Sequence, residues 1–140
     1  IYVSRITALD TAILSGLSKL DGPTKYNIDL FNGIRNNSNT IRIKTNRIIM
    51  TGWAVDQLSQ KAASRVYLMI GDNLFLAEVG IARPDVAGFH NMPSYSRSGW
   101  KLEIPSEMVG EGVHPLRLII INHNGTGYYS VTDERKLLVQ

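Results

Sequence analysis

Arg83, Pro84 and Asp85 are the residues whose types come closest to a reactive site, because they place opposite charges around a rigid turn. Pro84 suits the first position of a short helical turn, and Asp85 just inside it would favour the positive end of the helix dipole. Two interpretations are open. The triplet belongs to a site, or Arg83 pairs with a carboxylate such as Asp56 or Asp85 and fixes a crossover between strands. The second is simpler, and we predict a structural role for these four residues.

Each of the two tryptophans of the chain could likewise either bind a ligand or pack in the core. Trp53 stands in the apolar run Gly52–Asp56, and Trp100 alternates with Leu102 and Ile104. An indole can stack on a sugar ring. In an apolar strand, however, tryptophan more often fills the core, where it buries about 150–250 Å². We therefore predict that Trp53 and Trp100 are structural core residues.

The best sequence candidates for an exposed binding surface lie at loop ends. Tyr128 and Tyr129 follow the turn signal that contains Asn124, and Tyr95 lies in a polar loop. Successive strand residues point to opposite faces, so at most one of Tyr128 and Tyr129 serves a given face. We hypothesise a weak glycan contact that uses Tyr95, Asn124, Tyr128 and Tyr129.

Catalytic and metal-binding patterns are missing from the sequence. His90, His114 and His123 lie in separate segments without the spacing of a zinc site. No Gly-x-Ser-x-Gly elbow, P-loop or Gly-x-Gly-x-x-Gly motif occurs. Glycoside hydrolysis needs two carboxylates across a cleft, and the spacing of the glutamates selects no pair. We predict no catalytic residues, no metal and no cofactor.

Composition indicates one folded domain. The chain has 140 residues, a formal charge of +3, 44% hydrophobic residues and no cysteine. The basic residues are scattered, so no nucleic-acid groove is expected. No apolar run approaches the roughly 20 residues that span a bilayer. Because the sequence opens at Ile1, we expect a domain excised from a longer protein or a processed form.

Hydrophobic periodicity divides the chain near residue 22. Residues 1–22 carry apolar side chains at helical spacing and end in Asp-Gly-Pro, which predicts an N-terminal amphipathic helix or connector. It would pack on one end of the domain, or form a partner-facing or membrane-adjacent connector. Residues 23–140 alternate with a period of two. This pattern predicts an all-β, antiparallel Ig-like or jelly-roll-like sandwich of about eight strands, without a parallel sheet.

Six segments within about residues 26–130 form a pattern in a fixed order and spacing: Asn27–Gly33, Gly52–Asp56, Val66–Val79, Gly80–Ala87, Ser98–Trp100 and Gly112–Arg117. Together they resemble an accessory Ig-like β-sandwich module of bacteria, which is attached to glycosyltransferases and to multi-spanning envelope proteins that handle sugars. The family pattern usually has Phe where this chain has Trp100.

The resemblance implies a non-catalytic accessory domain of a larger bacterial envelope or glycan-handling protein, used for interaction or positioning. A carbohydrate-binding module is the alternative, and a small hydrolase has less support. The implied partners are the remainder of a longer chain or a cell-surface glycan. The extracytoplasmic side of the envelope is the expected location, with the cytoplasm left open, and the full-length protein would be a candidate glycosyltransferase.

Overall fold

The structure, a computed structural model, describes residues 13–22 and 24–140. Eleven strands and one short α-helix occupy most of this part of the chain. The strands are β1 Ser18–Lys19, β2 Lys25–Phe31, β3 Thr40–Ile43, β4 Arg47–Asp56, β5 Lys61–Ala62, β6 Arg65–Ile70, β7 Asn73–Leu76, β8 Glu78–Ile81, β9 Gly99–Pro105, β10 Gly112–Ile121 and β11 Gly127–Val139. The helix α1 is Pro84–His90, and 3-10 turns occupy Pro93–Tyr95 and Ser106–Met108.

The strands form two sheets that face each other. Sheet A has the order β11, β10, β6, β7, and both β1 and β3 pair with the other edge of β11. Sheet B has the order β2, β4, β9, β8, and β5 pairs with the end of β4. One apolar core joins the inward side chains of both sheets, such as Met50 and Leu102 from sheet B and Leu68 and Leu118 from sheet A. The prediction of an all-β sandwich is confirmed.

Gly52 lets two strands and a tryptophan approach closely inside sheet B. It lies opposite Trp100 of β9, and a Cβ at Gly52 would stand 2.0 Å from the carbonyl oxygen of Asn27 and 2.7 Å from Cζ2 of Trp100. No other residue type fits this space, because every other one carries a Cβ. The glycine before Trp53 therefore sets the spacing between β2 and β4, and it leaves room for the indole of Trp100 in the core.

The predicted helix over 1–22 is wrong at its C-terminal end, and residues 1–12 lie outside the described part of the chain. Ser18–Lys19 is a strand that runs parallel to Gly127 and Tyr128 of β11. Leu17 packs on the outer cluster of sheet A, whereas Leu20 packs on the core between the sheets. These two leucines, three residues apart, therefore lie on opposite faces of the edge of sheet A and not on one face of a helix. The edge pairings of β1 and β3 are parallel, unlike the antiparallel pairings predicted from the sequence.

The segment after the β6–β7 hairpin carries the chain from one sheet to the other. Strand β7 ends at Leu76 in sheet A, and β8 begins only two residues later, at Glu78, in sheet B. Helix α1 then begins at Pro84, as the sequence predicted, and its buried Val86 packs with Val55 and Tyr95 on the outer side of sheet B. Within the described ranges, no helix is long and apolar enough to cross a membrane.

Candidate functional site

A depression of about 610 Å³ opens on the outer face of sheet B beside α1, and we call it the aromatic cleft. Strand β2, the middle of β4 and helix α1 supply most of its wall. Its volume falls within the range of about 300–1,000 Å³ that is usual for ligand pockets. The lining residues are Tyr26, Asn27, Asp29, Arg35, Trp53, Arg83, Asp85, Val86, Phe89 and His90.

Three aromatic rings follow one another along this cleft. The ring of His90 packs edge-on against Trp53 with centroids 5.2 Å apart, and against Phe89 at 5.1 Å. His90 Nδ1 lies 2.9 Å from the carbonyl oxygen of Val86, and because a carbonyl only accepts, Nδ1 donates this hydrogen bond. This bond orients the central ring. Phe89, however, is 87% exposed, so the last ring of the row presents its surface to solvent.

Arg83 links two carboxylates that lie beside the aromatic rings, one on β2 and one on α1. Its Nη1 donates to Oδ2 of Asp29 at 2.6 Å. Its Nη2 and Nε donate to the two oxygens of Asp85 at 2.8 and 3.0 Å, in a bidentate pair. Asn27 Nδ2 donates to the other oxygen of Asp29 at 2.6 Å. The cleft therefore has a polar side in which one guanidinium holds two carboxylates in fixed positions.

The electrostatics of this polar side favour charged, fully ionised groups. Hydrogen bonds from Arg83 lower the pKa of Asp85 to about 2. The same bonds to Asp85, and to a smaller extent the bond to Asp29, raise the pKa of Arg83. Asp85 is therefore a carboxylate at neutral pH and accepts hydrogen bonds only. Arg35 is exposed at the rim and has no polar partner within the described ranges. Asp85 can therefore accept hydrogen bonds from a polar ligand, and Arg35 can donate hydrogen bonds to it.

Asp56 does not pair with Arg83, which corrects one of the two partners that the sequence suggested. Its carboxylate is buried and accepts from Tyr129 Oη at 2.8 Å, Ser59 Oγ at 2.6 Å and the backbone N–H of His123 at 3.0 Å. Burial alone would raise the pKa of Asp56, but these donors hold it below its usual range. Asp56 thus fixes the loop after β4 to the β10–β11 turn.

The two tryptophans are on opposite faces of sheet B. Trp100 is 1% exposed and lies in the core, as the sequence predicted. Trp53 is only partly buried and packs with Val55 and Val86 under α1. The reason is register: Trp53 lies one residue from Gly52 and Ala54, whose positions face inward, so its own side chain faces outward. Trp53 therefore packs on an apolar cluster under α1, separate from the core between the sheets that contains Trp100.

The loop-end surface predicted from Tyr95, Asn124, Tyr128 and Tyr129 is not brought together. Tyr95 is buried under α1, and Tyr129 is buried between the sheets. Tyr128 packs, partly buried, on the outer face of sheet A. Asn124 stays in the turn, where its side chain accepts from Thr126 Oγ1 at 2.8 Å. Two of the three tyrosines therefore cannot contact a ligand on the surface.

A second depression, of about 440 Å³, lies on the other side of strand β2, and we call it the bulge depression. Lys136 of β11 pairs with Pro115 and Thr132 pairs with Arg117, so residues 133–135 bulge out of the β10–β11 ladder. Inside the bulge, buried Arg135 donates to Asp133 at 2.9 Å. The lining residues are Tyr26, Asn27, Asn37, Thr132, Asp133, Glu134 and Arg135.

Histidines and acidic residues do not gather into a metal site. Across residues 13–22 and 24–140, no group of three or more such side chains could hold a metal ion. His90 is committed to the aromatic row, and the ring of His114 hydrogen-bonds the carbonyl oxygen of Gly110 at 2.9 Å.

Sequence reasoning missed Phe89, His90 and Asp29 as site residues. The signal for Asp29 was present, because it alternates with Ile28 and Leu30 and shares the outward face of β2 with Asn27. Phe89 gave no such signal. Its position three residues after Val86 suggests a shared buried face in a helix, but only Val86 is buried.

Comparison with known proteins leaves the family open. No protein-family model matches the chain, and no curated protein matches it. The resemblance to the bacterial accessory module therefore stays a prediction.

Proposed function

We propose that this chain is a non-catalytic, Ig-like accessory domain that binds carbohydrate in the aromatic cleft. It would serve a larger bacterial envelope or glycan-handling protein on the extracytoplasmic side. The observation that carries the proposal is the exposed ring of Phe89 at the end of an aromatic row, directly beside fixed hydrogen-bonding groups. Such a cleft combines an apolar wall with a few placed polar groups, as ligand pockets commonly do.

The two sides of the cleft match the two kinds of surface on a sugar. A pyranose ring has a C–H face that packs on an aromatic ring, and Phe89 and Trp53 offer such rings. Its hydroxyl groups both donate and accept. Asp29 and Asp85 offer carboxylate acceptors, and Asn27 and Arg35 offer donors. Because Arg83 already holds both carboxylates, they lose little freedom when a ligand binds.

The ionisation of Asp85 excludes it as the general acid of glycoside hydrolysis. Hydrolysis needs one carboxylic acid that is protonated near neutral pH, which requires a raised pKa. The pKa of Asp85 is lowered to about 2 by the hydrogen bonds from Arg83. Its proton is therefore gone at the pH where a general acid would act. No cofactor enters this proposal.

A second candidate function is positioning through contact with another part of its own longer chain. The same observation bears on it, because an exposed aromatic ring is also a common anchor of protein interfaces. The two functions differ in what the polar side of the cleft does. A saccharide needs Asn27, Asp29 and Arg35 as hydrogen-bonding groups, whereas a protein partner would depend mainly on burial of Phe89.

A glycan array followed by calorimetric titration tests the proposal. We expect binding of saccharides by the unaltered chain and a loss of at least about tenfold in affinity for Phe89→Ala, because an aromatic contact contributes about 1.4 kcal/mol or more. Val113→Ala is the matched control, since Val113 is 58% exposed and lies in sheet A. Absence of binding across the array would refute carbohydrate recognition, and equal affinities of the two variants would refute this site.

A further inference from the structure

We infer that the aromatic cleft continues around strand β2 into the bulge depression, so that the ligand is an oligosaccharide of at least two linked units. This inference rests on the proposed function and specifies the size of the ligand and its second contact region. Its starting point is shared lining: Tyr26 and Asn27 border both depressions. The two spaces therefore meet at one short stretch of β2.

The geometry of β2 explains how a single groove can pass from one face of the sheet to its edge. β2 is the outer strand of sheet B and pairs there only with β4 among the described residues. Asn27 faces outward with Trp53, its partner in register, while Tyr26 faces inward and packs on the core. Successive residues thus present one side chain to the aromatic cleft and the next to the gap between the sheets.

The junction is held firmly by a buried polar network. Tyr26 Oη donates to Oδ2 of Asp133 at 3.0 Å, and Arg135 Nη2 donates to the same oxygen at 3.2 Å. Arg135 Nη1 donates to the carbonyl oxygen of Ile28 at 3.2 Å, and the guanidinium lies 5.2 Å from the centroid of the Phe31 ring. The bulge of β11 is therefore tied to β2 at three points. A ligand crossing Tyr26 meets a preorganised surface.

The exposed groups beyond this junction define the chemistry of the second region. Thr132, Glu134 and Asn37 are all exposed and line the bulge depression. They offer a hydroxyl, a carboxylate and an amide, without an aromatic ring for stacking other than Tyr26. Glu134 offers carboxyl oxygens as acceptors, and Asp133 is already paired with Arg135. The second region therefore suits a sugar unit that donates hydroxyl or amino hydrogens.

The aromatic cleft and the bulge depression thus play different parts. The aromatic cleft would hold one unit by stacking on Phe89 and Trp53. The bulge depression would hold the next by hydrogen bonds to Glu134, Thr132 and Asn37. Hydrogen bonds to a charged group are stronger than those between neutral groups. Affinity should therefore rise about tenfold or more when the ligand gains the unit that reaches Glu134.

The test is a chain-length series followed by amide NMR. The probes are glucose, mannose, galactose and N-acetylglucosamine, each as the monomer and as its linear di- to pentamers. For the best series, we expect monomers to shift signals around Phe89 and longer probes to shift those of Thr132 and Glu134 as well. Glu134→Gln should lose about tenfold in affinity for the longer probes and little for the monomer. Glu107→Gln is the control, an exposed glutamate outside both depressions.

Each outcome bears on the inference. Shifts in both regions, with a loss limited to longer probes in Glu134→Gln, support it. Shifts confined to the aromatic cleft at every chain length, with Glu134→Gln equal to Glu107→Gln, overturn the extended groove and leave the proposed function intact. No shift with any probe overturns both. Shifts confined to the bulge depression overturn the assignment of stacking to the aromatic cleft.

Discussion

Replacing Arg83 by alanine tests whether the charged triplet holds the fold together. The change removes the hydrogen bond to Asp29 on β2 and the bidentate pair with Asp85 on α1. It also removes the aliphatic stem that packs on Gly99, where a Cβ would lie 2.9 Å from Cγ of Arg83. Asp29 would keep only the hydrogen bond from Asn27. We expect a large loss of stability.

The magnitude follows from the exposure of the three side chains. The Asp85 side chain is 65% exposed, so water screens its pair with Arg83 to about 0–1 kcal/mol. Arg83 and Asp29 are 23% and 15% exposed, which brings this pair closer to the buried case, where loss of one partner costs about 3–5 kcal/mol. Some solvent still reaches both groups. We therefore expect a loss of about 2–3 kcal/mol in total.

Thermal melting by circular dichroism measures this loss. About 2–3 kcal/mol corresponds to a fall in Tm of roughly 5–10 °C for a chain of this length. Asp85→Asn should lower the Tm much less than Asp29→Asn, because Asp85 is the more exposed partner. Arg97→Ala is the matched control, since Arg97 is exposed and, among residues 13–22 and 24–140, makes only a long hydrogen bond of 3.4 Å to the carbonyl oxygen of Gly80.

An unchanged melting curve for Arg83→Ala would refute the reasoning. So would a fall in Tm no larger than that of Arg97→Ala. A larger loss for Asp85→Asn than for Asp29→Asn would refute the ranking by exposure, although the role of Arg83 itself would stand.

Three further predictions concern the core and a buried tyrosine. Gly52→Ala should cost about 3 kcal/mol or more in urea unfolding, because its Cβ would lie 2.0 Å from the carbonyl oxygen of Asn27; a loss below about 1 kcal/mol would contradict this. Trp100→Ala should lower the free energy of unfolding by roughly 3–5 kcal/mol, and Trp100→Phe should lower it far less than this change at Trp100. Its Nε1 has no hydrogen-bond partner among the described residues, and a buried unpaired donor itself costs about 1–3 kcal/mol; equal losses would contradict this. Burial and the hydrogen bond to Asp56 raise the pKa of Tyr129 from 10.0 to about 12. The folded state thus binds the Tyr129 proton more tightly than the unfolded state does. The contribution of this proton to the free energy of unfolding is complete below pH 10 and is lost as the pH rises to about 12. Thermal melts across this range should show that loss, and Tyr129→Phe should reduce it without abolishing it, because burial also raises the pKa of Tyr26 and of Tyr95.

Much of the fold could be predicted from residue patterns because burial in a sandwich follows a period of two. Thr40–Ile43 and Gly99–Pro105 alternate between inward and outward positions, as their sequences indicate. The failures occur where a segment lies at an edge. Ser18–Lys19 pairs with β11 through contacts distant in sequence, and Gly127 allows this approach because it has no side chain. Local spacing carries no information about that partner.

The candidate site was harder to predict because it depends on register between strands. The sequence identified Arg83 and Asp85, but Asp29 lies on β2 and Arg83 follows β8 at the opposite edge of sheet B, so their pairing depends on the assembled sheet. The outward direction of Trp53 depends on Gly52 facing inward toward Trp100. Exposure of Phe89 depends on which side of α1 packs on Val55. Each of these facts is set by tertiary contacts, so the aromatic cleft appears only in the folded chain.

The two tryptophans provide the most direct measurement of the central claim, that carbohydrate binds in the aromatic cleft. The chain has two indole N–H groups, one at Trp53 in the cleft and one at Trp100 in the core. Titration with the saccharide that binds most tightly should shift the Trp53 indole signal and leave that of Trp100 in place. A saccharide that binds by calorimetry without moving the Trp53 signal would contradict the claim.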